Sequence, residues 1–181
     1  MKLTYQLSEH DYLNCHLFFT SRSESTIRAR KRNRLMMAGI YVVLGVVTIF
    51  FGDPVLSGLL ILAGILWYIL FPGYEGKKIA ARMRKHLQEQ IRSQFDQETR
   101  LEITEDMIID NVNNFESRIP TSEVKEICRV AGYYYLLTKA GIAIIIPRKI
   151  LDEEDGLITI LKGICHNLKL PYSEYPDWHW K

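Results

Sequence analysis

Between Leu35 and Phe71 the chain runs for 37 residues with one formal charge, Asp53, and this segment constrains everything around it. It consists of two apolar stretches of 17 residues, LMMAGIYVVLGVVTIFF (35–51) and VLSGLLILAGILWYILF (55–71), divided by Gly52, Asp53 and Pro54. The hydrocarbon core of a bilayer, about 30 Å thick, needs roughly 17–25 helical residues to cross it. As buried strands, the stretches would be far longer than the usual ~5–6 residues and would carry Gly39, Gly45, Gly58 and Gly64 in their interiors. As a buried helical hairpin, apolar on every face, they would need a larger protein around them than the remaining residues make. A transmembrane helical hairpin with spans 35–51 and 55–71 is therefore expected. A signal peptide does not fit, because the apolar region starts after 34 residues, is doubled, and lacks a small-residue cleavage pattern. Gly-Asp-Pro is a strong turn signal: Pro fixes φ, Asp bonds its own downstream backbone, and Gly accepts left-handed conformations.

The overall composition, 48% apolar with a net charge of +2, hides this segregation. Charge collects on the flanks of the hairpin. Arg22, Arg28, Arg30, Lys31, Arg32 and Arg34 stand against Glu24 before the first span, and Lys77, Lys78, Arg82, Arg84, Lys85 and Arg92 against Glu89 after the second. The turn between the spans has no base. By the positive-inside rule both termini are cytoplasmic and the turn lies outside. The bases Arg28, Arg30, Lys31, Arg32, Arg34, Lys77, Lys78, Arg82, Arg84 and Lys85 are the expected membrane-surface contacts, worth about 1 kcal/mol each near anionic lipid headgroups. Trp67, Tyr68 and Tyr74 suit the interface at the cytoplasmic end of the second span. Three widely spaced cysteines, Cys15, Cys128 and Cys165, all fall on the side assigned to the cytoplasm, where thiols stay reduced, so no disulfide is expected.

Residues 1–34 read as a short strand through Leu3, Tyr5 and Leu7, then an amphipathic helix capped by Ser8 with Asp11 three residues on, then the basic collar. That helix should lie along the membrane or pack on the cytoplasmic domain. Over 72–98 a basic stalk helix is expected to continue the second span, since Ile79, Met83, Leu87, Ile91 and Phe95 recur every fourth residue in a charged stretch. Residues 99–181 change to strand patterns: RLEITED, a strand pair around Asn113 and Asn114, and a hairpin turning at Thr138–Gly141 whose last run, Ile142–Ile146, reads as a central strand. The segment DEEDGLITILKGICHNL opens with four acids and places Leu157, Leu161, Ile164 and Leu168 on one face, a helix closed by Pro171. The fold class is thus an α+β membrane protein: a two-helix transmembrane hairpin plus a small antiparallel sheet of four or five strands, capped by a C-terminal helix. From Ser93 to Lys181 fifteen acids and ten bases give net −5, opposite to the net +10 of the collars. The tail PYSEYPDWHWK is expected to dock as an arm over the sheet, the alternative being a free recognition element.

The stretch YQLSEHDYLNCHLFFTSRS, followed by a basic segment and a two-span hairpin and then by RIPTSEVKEICRVAGYYYLLTKAGIAIIIPRKIL, resembles the YcxB-like family of small bacterial membrane proteins. The likeness rests on Glu9 to Leu13, Ser122 to Ile127 and Ile146 to Lys149. Where the family often has a tryptophan just before the Ser-Glu-Val segment, this chain has Thr121, so no aromatic role carries over there. The resemblance implies a pleckstrin-homology-like cytoplasmic domain and a multi-pass protein of the bacterial inner membrane.

Chemistry-bearing pairs exist, each with a plainer reading. Cys15-His16 and Cys165-His166 place adjacent residues about 100° apart on a helix, so neither dipeptide chelates a metal alone. Cys165 reads as a small apolar residue on a helix face and Cys128 as part of a strand. No glycine-rich phosphate loop occurs, because AGYYY and KAGIA are turns between strands. Within the spans Ser57 and Thr48 are the only notable polar side chains, which does not make a pore or an ion path. No catalytic, cofactor-binding or metal-binding residue is expected, and no nucleic-acid partner. The reading is a membrane-anchored binding or regulatory module that meets a protein partner, a second copy or the membrane surface. Its rivals are an enzyme with a cysteine-centred site and a subunit of a small oligomeric transporter.

Overall fold

A computed structural model describes residues 1–112, 115–151 and 154–180. The expected turn at Asn113 and Asn114, and two of the four acids before the last helix, lie outside these described residues. The chain divides into two compact units, Met1–His16 with Arg84–His179, and Leu17–Met83 with Trp180–Lys181. Two of the cuts, after His16 and after Met83, fall inside helices, and the third, after His179, does not.

The first unit is α+β. Strand β1 (Lys2–Gln6) pairs antiparallel with β2 (Glu98–Ile103), and β3 (Met107–Val112) and β4 (Phe115–Pro120) complete a four-stranded antiparallel sheet in the order β1-β2-β3-β4. The region 99–181 therefore does not close its sheet alone; the N-terminal strand supplies one edge. A second sheet has the order β7-β6-β5-β8, from β5 (Val124–Val130), β6 (Tyr133–Thr138), β7 (Ala143–Pro147) and β8 (Tyr172–Tyr175). Two corrections follow. Among the described residues there are eight strands in two sheets, and β8 runs parallel to β5 where an antiparallel sheet was expected.

The run Ile142–Ile146 is not a central strand either: from Ala143 on it belongs to β7, which is an edge. Its continuous apolar pattern has another cause. Successive residues of a strand point to opposite faces, and Ile144, Ile145 and Ile146 are all buried, as are Tyr134, Tyr135 and Leu136 on β6. This sheet is covered on both sides. On one side the first turns of helix α1 (Glu9–Arg22) reach it, with the Tyr133 hydroxyl donating to Asp11 Oδ1 at 2.7 Å. On the other lies helix α4 (Glu154–Leu168), whose Glu154 accepts from the Tyr134 hydroxyl.

Helix α1 starts as its sequence predicts. The Ser8 N–H and hydroxyl both donate to Asp11 Oδ2 at 2.8 Å, while the Asp11 N–H reaches Ser8 Oγ at 3.4 Å, a reciprocal capping box. Asp11 is 3% exposed, so its carboxylate is satisfied inside the protein. Helix α4 buries Leu157, Leu161, Ile164 and Cys165. Each large apolar side chain so buried contributes about 1.5–3 kcal/mol, which outweighs the roughly 1 kcal/mol cost of each of Gly156 and Gly163 within the helix.

The second unit is a helical hairpin. Helix α2 (Glu24–Phe50) and helix α3 (Pro54–Gln90) are both long and apolar enough to cross a membrane. The collar bases Arg28–Arg34 occupy the first turns of α2, and the stalk is the C-terminal part of α3, which continues through Pro72 unbroken and ends at Gln90, short of the expected residue 98. The turn takes the predicted form: Gly52 has φ 79°, and the Leu56 N–H donates to Asp53 Oδ1 at 2.9 Å. In the apolar windows of α2 and α3 only 6% and 11% of residues are buried. Val43, Phe50, Val55, Leu59 and Ile69 are all more than half exposed.

Gly45 and Gly64 are where the two helices meet. A Cβ on Gly45 would lie 2.7 Å from Ile61 Cγ1 and 3.2 Å from the Ser57 carbonyl, and one on Gly64 would lie 3.1 Å from Tyr41 Cβ. A Cβ on Gly39 or Gly58 would meet nothing within 4 Å. The hydroxyls of Ser57 and Thr48 both donate to the Gly45 carbonyl, at 2.6 and 2.8 Å, so these two side chains are satisfied inside the hairpin.

Candidate functional site

Pro72 organises the basic end of the hairpin. A proline inside a helix has no N–H for the carbonyl four residues back, and its ring crowds that oxygen. In α3 that carbonyl belongs to Tyr68. Arg34 on α2 supplies the missing donor, with its Nε 2.7 Å from the Tyr68 oxygen, and its guanidinium lies over the Tyr68 ring, 3.7 Å from the centroid.

Arg30, one turn earlier on α2, bonds through Nε to Glu75 Oε2 on α3 at 3.1 Å. The two side chains are only 27% and 16% exposed, so this pair is shielded and holds its geometry. The Arg30 guanidinium also lies 5.4 Å from the centroid of the Trp180 ring, whose Nε1 donates to the Gly76 carbonyl at 2.9 Å. The tail is therefore not an arm over the sheet. Its first part, Tyr172–Tyr175, is itself a strand of the sheet, and Trp180 docks on the hairpin.

Between the helices Arg30, Arg34, Tyr68 and Glu75 leave a hollow of about 330 Å³, walled further by Ile27, Lys31, Leu35 and Pro72. Lys31 and Leu35 also border a shallower depression shared with Arg28, Arg32 and Met36. Within the hollow Arg30 and Glu75 cancel. Lys31, which has no carboxylate within ion-pair distance among the described residues, and Arg34, whose anchor is a neutral carbonyl, leave it net +2.

Of the ten expected surface contacts, the structure thus gathers Arg30, Lys31 and Arg34 around one hollow. Arg28 pairs along its helix with Glu24, both side chains more than three-quarters exposed, a geometry worth little. Arg32, Lys77, Lys78 and Arg82 are exposed, with Lys78 Nζ 5.8 Å from the Tyr74 ring centroid. Arg84 and Lys85 belong to the other unit, where Arg84 pairs with Glu9 at 2.9 Å and Lys85 with Glu89 at 3.8 Å. Counting bases missed Pro72, Glu75 and Trp180. The sequence signal for them was a proline and an acid placed where the apolar run turns basic.

In the first unit, Glu154 accepts from Arg148 at 2.7 Å, from Arg129 at 3.1 Å and from the Tyr134 hydroxyl. Arg148 and then Tyr134 hold its carboxyl down at about 2. This cluster ties α4 to β5 and β6. All three cysteines are buried thiols outside any disulfide. Burial, with Cys128 close by, pushes the Cys15 thiol up to about 12, and burial raises Cys165 as well. A thiol activated as a nucleophile is shifted the other way. Among the described residues no three His, Cys, Asp or Glu gather as a metal ion would need.

Compared with models of known protein families the chain matches none, and it matches no curated protein.

Proposed function

We propose that this protein is a membrane-anchored binding or regulatory module of the YcxB-like type. Its hairpin crosses the bacterial inner membrane twice, with both termini cytoplasmic, and its α+β unit engages a protein partner or a second copy. The observation that carries the reading is the exposed apolar surface of α2 and α3. Side chains such as Val43, Phe50, Val55 and Ile69 stand exposed in the same chain that buries Tyr134, Tyr135 and Phe18 completely. In water such a surface is a severe liability; in lipid it is the solvent-facing side. Both basic collars lie at the open end of the hairpin and none at the turn, which supports the orientation.

Binding rather than catalysis is supported by the state of the reactive groups, since the thiols are buried and pushed away from reactivity. An available surface is β4, an edge strand whose Phe115 is 85% exposed. Such an edge accepts a partner's strand. The test is extraction and cross-linking of the full-length protein in native membranes. It should resist alkaline extraction and require detergent, a label at Asp53 should react only from outside, and a photoreactive group at position 115 should capture a discrete partner. Release into the aqueous phase would refute the anchor, and the absence of any adduct from position 115 would refute binding through this edge.

A further inference from the structure

The hollow at the basic end of the hairpin combines three features that neither a solvated charge cluster nor a helix contact needs. Its net charge comes from two bases, Lys31 and Arg34, that have no carboxylate partner among the described residues. One of these is fixed in advance, because Arg34 is held by the Tyr68 carbonyl through Nε and by the Tyr68 ring. A guanidinium has five N–H donors, so the Nη groups remain for a ligand at little ordering cost. Lys31 precedes Arg34 by three residues on the same helix, a spacing that sets side chains on one face about 5–6 Å apart at Cβ. Two cations so placed flank one anionic group. The third feature is the apolar wall of Ile27, Leu35 and Pro72, with Leu35 opening the apolar run and Met36 beside it 55% exposed.

We propose that this hollow holds the phosphodiester of one acidic membrane phospholipid, with Lys31 and Arg34 on its phosphate oxygens and an acyl chain lying along Leu35 and Met36. Glu75 belongs to the design: by neutralising Arg30 it keeps that side chain on the wall and leaves room for one phosphate. A soluble phosphate ester would make no use of the apolar wall that continues from the hollow onto Leu35 and Met36. The assignment rests on the reading that the hairpin lies in a bilayer.

The experiment is native mass spectrometry of the full chain released from nanodiscs of phosphatidylcholine containing a minor fraction of phosphatidylglycerol. It compares the wild type, Lys31→Gln and Lys77→Gln, and adds millimolar glycerol phosphate as a competitor. Lys77 is an exposed collar base outside the hollow, and Lys31 is exposed enough that its loss leaves the helix intact. The expected result is one phosphatidylglycerol per chain, held about fivefold more weakly by Lys31→Gln, unchanged in Lys77→Gln, and not displaced by glycerol phosphate. Equal weakening in both variants, or several lipids without saturation, would mean diffuse attraction and would overturn the site while leaving the bilayer reading intact. Displacement by glycerol phosphate would overturn the lipid assignment. A chain that stays in solution without nanodisc or detergent overturns the bilayer reading itself, and the proposal with it.

Discussion

The link between Pro72 and Arg34 gives a sharp test of how the hairpin is held. An interior proline costs a helix about 3 kcal/mol through the lost hydrogen bond and the ring clash, a cost that falls when a neighbouring side chain satisfies the freed carbonyl. Here the neighbour is Arg34, bonded at 2.7 Å to the Tyr68 oxygen. A hydrogen bond to a charged group contributes about 1.5–3 kcal/mol, and because Arg34 is partly exposed the lower end applies, about 1–2 kcal/mol. Arg34→Met in the wild-type background should therefore destabilise the hairpin by about 1–2 kcal/mol. Pro72→Ala restores an N–H at position 72 for the Tyr68 carbonyl and should stabilise by about 1–3 kcal/mol. In the Pro72→Ala background Arg34→Met should then cost less than about 0.5 kcal/mol, leaving a coupling of about 1 kcal/mol. The assay is reversible unfolding in lipid-free mixed micelles by increasing SDS fraction, followed by tryptophan fluorescence. If Arg34→Met costs the same in both backgrounds, within the ~0.3–0.5 kcal/mol expected of independent sites, Arg34 does not serve the carbonyl that Pro72 frees.

The same micelle assay separates the glycines: Gly45→Leu and Gly64→Leu should loosen the hairpin, whereas Gly39→Leu and Gly58→Leu, which meet open space, should not. Asp11→Ala removes the carboxylate half of the Ser8 capping box, worth about 1 kcal/mol, and the charge-assisted bond from Tyr133, worth about 1.5–3 kcal/mol. Urea unfolding of the full chain in micelles should show a loss of about 2–4 kcal/mol, with Tyr133→Phe losing less. Gly163→Ala should raise stability by about 0.5–1 kcal/mol, because a methyl there meets nothing and shortens the list of unfolded conformations. Acid should weaken the first unit. Glu154 is held at about 2 against an ordinary 4.5, and Asp11 is also lowered, since hydrogen bonds from Tyr133 and Ser8 outweigh the opposing effect of its burial. The unfolded chain thus binds these protons more tightly, so their contribution is complete above about pH 4.5 and is lost as pH falls toward 2. An acid titration monitored by circular dichroism should show this loss, and Glu154→Gln should flatten the share due to Glu154.

Several features were legible in the sequence because they are local. The Gly-Asp-Pro turn, the Ser8–Asp11 cap, the Thr138–Gly141 hairpin turn and the apolar face of α4 each depend on residues within a few positions of one another. The strand β1 was also legible as a strand, but its partner β2 lies nearly a hundred residues away, and no local pattern names it. For the same reason β8 read as a tail: four residues with aromatic and polar side chains become a strand only because β5 offers a free parallel edge. The misplacement of Ile142–Ile146 as a central strand has its own cause. A continuous apolar run reports burial on two faces, and an edge strand under two covering helices meets that condition as well as a central one does.

What the sequence determined by itself was the segregation of apolar from charged residues, which makes two helices long and apolar enough to cross a membrane, and the short-range signals that start and stop elements. Tertiary structure decided which collar bases act together. Ten bases look alike along the chain, and only the pairing of α2 with α3 brings Arg30 to Glu75, Arg34 to the carbonyl that Pro72 leaves open, and Lys31 to the hollow between them. The physical reason is range: propensity and charge count are set by neighbours in sequence, whereas a hydrogen bond across 34 residues exists only after the two helices have closed on Gly45 and Gly64.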